Sequence, residues 1–269
     1  MIPAAYLTEW RQRVPWVSDV QVEQDLIISR ALATAFAAPG VAEAFAFRGG
    51  TALYKLYLEP QRYSEDIDLV QVAAGPAGPA TAALRGALDH WLGIPSFKQG
   101  ADRFTLYYKV QSEGPPSVPL RLKVEVNTRE HFALDGWTPR FFRVESRWFR
   151  GEAQITTYRL EELLGTKMRA LHQRKKGRDL FDLWTALRDT QLDRDRIVHD
   201  FLGYMARGGT HATRAQFEET LLGKLADRRF RADVDPLLAA DHLFDFDAAA
   251  ATVLEQLVAI LPGAPWRGP

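Results

Sequence analysis

Residues 47–70 read FRGGTALYKLYLEPQRYSEDIDLV, and the fold turns on this stretch. The apolar run AFAFRG predicts a short strand that ends at Gly49 and Gly50. TALYKLYL follows as a helix with Leu53, Leu56 and Tyr57 on one face, and DIDLVQV predicts a second strand. Residues i and i+2 of a strand point to the same face, so Asp66 and Asp68 project together while Ile67, Leu69 and Val70 are free to bury. Two neighbouring carboxylates repel, and both stay ionised comfortably only around a cation. Mg²⁺ suits the pair, because it takes hard oxygen ligands and keeps waters and substrate phosphates in its shell. Gly49, Gly50 and Thr51 fall between a strand and a helix N-terminus, where free backbone N–H groups and the helix dipole favour phosphate. Taken singly, the glycines are a tight turn and the acids a solvated face. In this order and setting they form a triphosphate turn followed by a metal strand.

A two-metal phosphoryl-transfer site calls for a third acid. RLKVEVN supplies Glu125, on the strand face opposite Val124 and Val126, with Lys123 two residues earlier as a charge partner.

Around this core the composition sets limits. The 269 residues are 46% hydrophobic and 25% charged, the balance of an ordinary globular chain. Lys+Arg and Asp+Glu are both 34, so a polyanion site has to be local. The absence of cysteine excludes disulfides, zinc–thiolate sites and a cysteine nucleophile, and the six histidines show no metal-ligand spacing. No signal-like leader or long apolar run is present, which predicts a cytoplasmic protein with no membrane partner. Residues 158–178 carry seven cations against Glu161 and Glu162. Between Arg231 and Arg267 the only charges are Asp233, Asp235, Asp241, Asp245, Asp247 and Glu255.

Ser18 predicts the N-cap of a helix through DVQVEQDLIISRALATAFA, with Leu26, Ile27, Leu32 and Phe36 as its stripe. ATAALRGALDHWLG reads as a further helix. RFTLYYKVQ and VPLRLKVEVNT alternate at period two and pair around SEGPPS, and RFFRVESRWF and EAQITTY add strands. From Tyr158 on, the pattern is helical, over about 159–174, 178–189, 193–206, 213–226 and 248–261, and PGAPWRGP reads as a frayed tail. The expected organisation is α+β, an α/β domain over 1–155 and a helical domain over 156–269 that completes the active site.

Gly-Gly-Thr followed by Arg62, Ser64, Asp66 and Asp68 at alternate positions resembles the nucleotidyltransferase fold. The wider pattern is similar to the AbiEii-like nucleotidyltransferase toxins of toxin–antitoxin and phage-abortive systems, which include the MenT group. YRLEELLGTKMRALHQRKKGRDLFDLWTAL, residues 158–187, resembles that family's lysine motif and the Arg-Asp-x-x-Asp-Leu motif after it. The helix pattern agrees: Lys167 interrupts the stripe of Leu160, Leu164 and Leu171, and a lysine there needs a partner or an escape to solvent. Asp179 and Asp182 share a helix face.

The resemblance implies a polymerase-β-like mixed sheet with a C-terminal helical bundle. It also implies transfer of a nucleotide from an NTP to RNA, the tRNA 3′ end first among acceptors, with Mg²⁺ or Mn²⁺. Asp66, Asp68 and Glu125 would hold metal, and Arg48, Gly49, Gly50, Thr51, Ser64 and Lys167 would surround the nucleotide. Asp182 is the better match to the family's essential acid, as a general base or as the residue that orients Lys167. Arg174, Lys175, Lys176 and Arg178 are either a solvated turn or a guide for RNA backbone. A cognate antitoxin is implied, and Ser64 is implied as a site where phosphorylation silences the enzyme. Two other readings share these residues, a nucleotidyltransferase acting on a protein or small molecule and a binding module with a degenerate site.

Overall fold

Ser18 accepts the Gln21 amide and Gln21 returns the bond, a reciprocal cap that starts a 19-residue helix and satisfies two of its orphan donors. In the computed structural model, which describes residues 2–113, 116–240 and 242–268, the chain forms two compact units, Met1–Tyr158 and Arg159–Pro269. Gly114 and Pro115 of the expected hairpin turn, and Asp241 of the acidic tail, lie outside the described residues.

The first unit contains α1 (Ala4–Arg11), α2 (Asp19–Ala37), α3 (Val41–Ala44), β1 (Phe45–Arg48), α4 (Gly49–Leu56), β2 (Asp66–Gln71) and α5 (Gly78–Leu92). It continues with β3 (Ser96–Gln99), β4 (Arg103–Gln111), β5 (Pro119–Asn127), β6 (Thr138–Glu145) and β7 (Arg150–Thr157). The strands form one mixed seven-stranded sheet in the order β3-β4-β5-β2-β1-β7-β6. β1 runs antiparallel to β2, whereas β2 is parallel to β5 and β1 parallel to β7. The sequence supplied every strand except β3, and it supplied neither α1 nor the one-turn α3.

Alternation on β4 and β5 decides which face is covered. Phe104, Leu106, Tyr108 and Val110 are buried on β4, as are Leu120, Leu122, Val124 and Val126 on β5. Each such side chain contributes about 1.5–3 kcal/mol. α2 packs across β2, β5, β6 and β7, and α5 packs against β4 and α2. From Val22 to Ser29 every residue of α2 is buried, Asp25 included, so its expected stripe widens to the whole circumference.

The second unit is α6 (Leu160–Gln173), α7 (Gly177–Asp189), α8 (Arg194–Arg207), α9 (Arg214–Leu225), α10 (Arg228–Arg231) and α11 (Phe246–Gln256), with two short 3₁₀ turns. α6 and α8 approach closely at Gly165, where a Cβ would stand 2.9 Å from Asp200 Cβ and 3.0 Å from the Phe201 nitrogen. The tail corrects one expectation. Arg214 N donates to Pro262 O at 2.9 Å and Trp266 N to Glu218 Oε2 at 2.7 Å, so the segment is pinned to α9 rather than frayed.

Candidate active site

Parallel pairing of β2 with β5 sets Asp66 opposite Lys123 and Asp68 opposite Glu125, which brings the three acids expected from sequence onto one sheet face. Lys123 Nζ stands 3.3 Å from Asp66 Oδ2 and 3.2 Å from Glu125 Oε2. Glu125 also meets Arg103 at 3.8 Å. The lysine thus serves two carboxylates, and sequence spacing reveals only the one on its own strand. Among the described residues no three His, Asp or Glu side chains are arranged as ligands around one point. Glu125 shares the sheet face of Asp66 and Asp68 and is held there by Lys123.

Burial pushes the Asp68 carboxyl above the usual carboxylate range. The charges of Asp66 and Glu125 add to the shift, against the opposing pull of Lys123 and Arg48. Lys123 is moved up as well: burial disfavours its charge, but Asp66, Asp68 and Glu125 outweigh it. This donor set, two carboxylates on one face with positive charge in deficit at Asp68, fits a small divalent cation. Arg48, opposite Asp68 in the β1–β2 pairing, is held by Glu130 at 2.7 Å.

The glycines are required here for different reasons. Gly49 has φ +84°, and a Cβ on it would stand 2.5 Å from Asp68 Oδ2, so the acid packs directly under the turn. A Cβ on Gly50 would run into the Arg62 guanidinium and stand 3.1 Å from Ser64 Oγ. Thr51 Oγ1 donates to Asp66 O at 2.5 Å and shares a hydrogen bond with Ser64 Oγ at 2.9 Å, tying the start of α4 to the approach of β2. Arg62 is buried, with its guanidinium 5.3 Å from the Tyr54 ring centre. Beside them lies a cavity of about 180 Å³ whose lining includes Thr51, Arg62, Ser64, Tyr54 and Trp16. Lys55 on α4 reaches Asp25 at 2.7 Å and Ser29 at 2.9 Å, and Trp10 Nε1 donates to Asp25 at 3.0 Å. This anchor for α4 escaped the sequence, because the buried acid is masked within an apolar helix.

In the second unit, Lys167, Asp179 and Asp182 meet as a buried group. Lys167 Nζ lies 2.7 Å from Asp182 Oδ2 and 3.3 Å from Asp179 Oδ1, with the Lys167 side chain 9% exposed and both acids at 0%. Leu164 and Leu171 of its stripe are buried and Leu160 is half-buried. Arg174 grips Asp179 with two bonds, Nε at 2.6 Å and Nη2 at 2.7 Å. Burial pushes the Asp179 carboxyl up, but Lys167 and Arg174 more than reverse this and hold it below the usual range. The other cations of the basic segment have partners too: Lys175 pairs with Asp227, and Lys176 with Asp233 at 3.2 Å. Arg178 meets Asp233 at 3.8 Å.

A mixed sheet carrying a Gly-Gly turn and a same-face acid pair defines a nucleotidyltransferase-type protein. Solved structures share its fold: MenT4, a nucleotidyltransferase toxin of Mycobacterium tuberculosis, has TM-score 0.68 at 15% identity over 97% of this chain and 90% of its own. JHP933 of Helicobacter pylori has TM-score 0.54 at 16% identity over 91% and 93%. No curated protein matches the chain. The profile of the nucleotidyl transferase AbiEii toxins of type IV toxin–antitoxin systems matches residues 30–252, and the chain belongs to that family.

Proposed function

We propose that this toxin-family nucleotidyltransferase transfers a nucleotide from an NTP to an RNA, with the tRNA 3′ end as target and a block of translation as the consequence. The observation that carries the reading is the packing of Asp68 beneath Gly49, which brings a phosphate turn and an acid pair within one side chain of each other. Asp66 and Asp68 are the residues that would hold Mg²⁺ or Mn²⁺, which when bound would supply charge neutralisation for the triphosphate. Gly49, Gly50 and Thr51 present the helix N-terminus to phosphate oxygens, with Arg48 and Ser64 at its edges. A ribose hydroxyl attacks the α-phosphorus and forms the new P–O bond. The bond to the β-phosphate oxygen breaks, pyrophosphate leaves with its electron pair, and the hydroxyl proton is released to solvent.

In this reading Lys167 meets nucleotide phosphate. The 2.7 Å contact with Asp182 favours an orienting role for that acid over a general base. The proposed domains are 1–155 and 156–269, and an antitoxin is the proposed protein partner. A phosphate on Ser64 would place extra negative charge two residues before Asp66 and against the Thr51 hydroxyl, which opposes nucleotide binding.

The test is incubation with total tRNA, Mg²⁺ and each labelled NTP, alongside Asp66→Ala. Label in the tRNA band that the variant loses supports the reading. Label in protein or small molecules moves the acceptor, and no label under any condition leaves a binding module.

A further inference from the structure

The open face of β3, β4 and β5 continues outward from Asp66 and Asp68 and is built for a polyanion. Register places Lys98 beside Thr105 and Thr105 beside Glu125, while Lys109 pairs with Arg121 and Tyr107 with Lys123. These residues therefore share the face that carries the acid pair, opposite the buried apolar rows. Along the three strands the cations are Lys98, Arg103, Lys109, Arg121 and Lys123, and the one acid is Glu125. Lys98, Lys109 and Arg121 are exposed and form no ion pair among the described residues. The Arg121 guanidinium lies 5.2 Å from the centre of the half-buried Tyr107 ring, a platform of the kind on which bases stack. The basic turn of the second unit contrasts with this, since Lys175, Lys176 and Arg178 face Asp227 and Asp233.

We propose that this strand face binds the single-stranded 3′-terminal segment of the acceptor RNA, its backbone crossing Arg121, Lys109 and Lys98 and one base resting on Tyr107. The inference rests on the RNA reading of the site and adds the surface that reads the acceptor. From β2 to β3 is three strand spacings of about 4.8 Å, roughly 14 Å, enough for a short single-stranded run but too little for a long duplex footprint. A chain end is the form of polynucleotide that can reach the acid pair while its upstream phosphates lie across the strands. Because cations and a ring dominate, recognition is expected to be tolerant of sequence and steep in salt.

The experiment measures binding of a fluorescein-labelled 12-nucleotide single-stranded RNA to the intact chain without NTP, across a salt series. It compares the unaltered protein with the triple variant Lys98→Glu, Lys109→Glu, Arg121→Glu and with Tyr107→Ala. The triple variant is expected to weaken binding at least tenfold. It should also flatten the salt slope by about 2, near 0.7 for each of three lost contacts. Tyr107→Ala should weaken binding with an unchanged slope. In the transfer assay the triple variant should raise KM for RNA and leave KM for NTP in place, with unchanged thermal midpoints excluding misfolding. Unchanged binding and slope in the triple variant overturn the proposal, as does an unaltered protein that binds no oligonucleotide at low salt. It is also overturned if Lys175→Glu with Lys176→Glu weakens binding where the strand triple does not. Oligonucleotide binding that the triple variant loses, in a protein that transfers no nucleotide to RNA, upholds the surface and removes the transferase reading instead.

Discussion

Asp68 and Asp179 are both sequestered carboxylates, yet their titrations move in opposite directions. Asp68 is pushed up by burial, with Asp66 and Glu125 adding to the shift. Asp179 is more completely buried than the half-buried Asp68, but Lys167 and the bidentate Arg174 reverse the effect. Burial sets the stakes, and the sign of the neighbouring charge sets the outcome. The first acid is left short of positive charge, the condition in which a site gains by taking up a cation. The second is already balanced, the condition in which a group holds its neighbours in place.

The largest expected effect lies at the unbalanced site. Asp66→Ala or Asp68→Asn should lower nucleotide transfer by about 10³ or more, since losing several kcal/mol of charge stabilisation costs a decade for each 1.4 kcal/mol. The same Asp68→Asn change removes a like charge from beside Asp66 and Glu125, so its thermal midpoint should hold or rise. A fall in midpoint comparable to that of an Asp179 variant would break the contrast.

Asp179→Asn should do the reverse and act on stability. It leaves the half-exposed Arg174 and the buried Lys167 without a shared anion, and removing one partner of a buried pair costs about 3–5 kcal/mol. Urea unfolding checks this, and a change under about 1 kcal/mol would mean that Asp182 alone satisfies Lys167. The acid dependence follows from the sign of the shift. A carboxyl whose folded pKa lies below its unfolded value contributes stability above the unfolded value, and loses it as pH falls through the folded one. The intact chain should therefore lose stability on acidification below the ordinary Asp pKa near 3.8, and Asp179→Asn should show a flatter acid limb.

The acid pair, the glycines and the lysine helix were legible in the sequence because each is encoded by short-range periodicity. Asp66 and Asp68 need only the two-residue repeat of a strand, and Lys167 announces itself by interrupting an apolar stripe. What stayed hidden depends on pairing across long separations. Lys123 was readable as a partner of Glu125, two residues away, but its bond to Asp66 exists only because β2 and β5 lie side by side. Asp25 holding Lys55 was lost inside a helix that reads as apolar, and β3, four exposed residues at the sheet edge, has no buried alternation to announce it. The cations at 174–178 were visible as charge, whereas the acids that meet them, Asp227 and Asp233, come from some fifty residues further on.

A smaller effect tests how closely the turn and the acid pair are joined. Gly49→Ala places a side chain on a left-handed residue, a strain of about 1–2 kcal/mol, and drives its Cβ against Asp68 Oδ2. Transfer should fall by far more than that loss of stability accounts for, because the displaced atom belongs to the acid pair. An alanine variant with near-normal activity would separate the turn from the chemistry.

Glu218 extends the contrast to a less demanding setting and carries the smallest effect. Its carboxylate accepts Arg214 Nε and the Trp266 amide, both at 2.7 Å, so like Asp179 it is surrounded by donors. Burial raises its pKa, and the bonds from Arg214 and Trp266 outweigh that and bring it down. Unlike Asp179 it leaves no buried cation behind when removed, since Arg214 is 30% exposed and can turn to water. Glu218→Ala should therefore cost only about 1.5–3 kcal/mol, the scale of hydrogen bonds to a charged group. The cost should appear as faster amide exchange near Trp266 with transfer unchanged. A loss as large as that of Asp179→Asn would mean that the number of donors, not the burial of the partner left behind, decides what a paired carboxylate contributes.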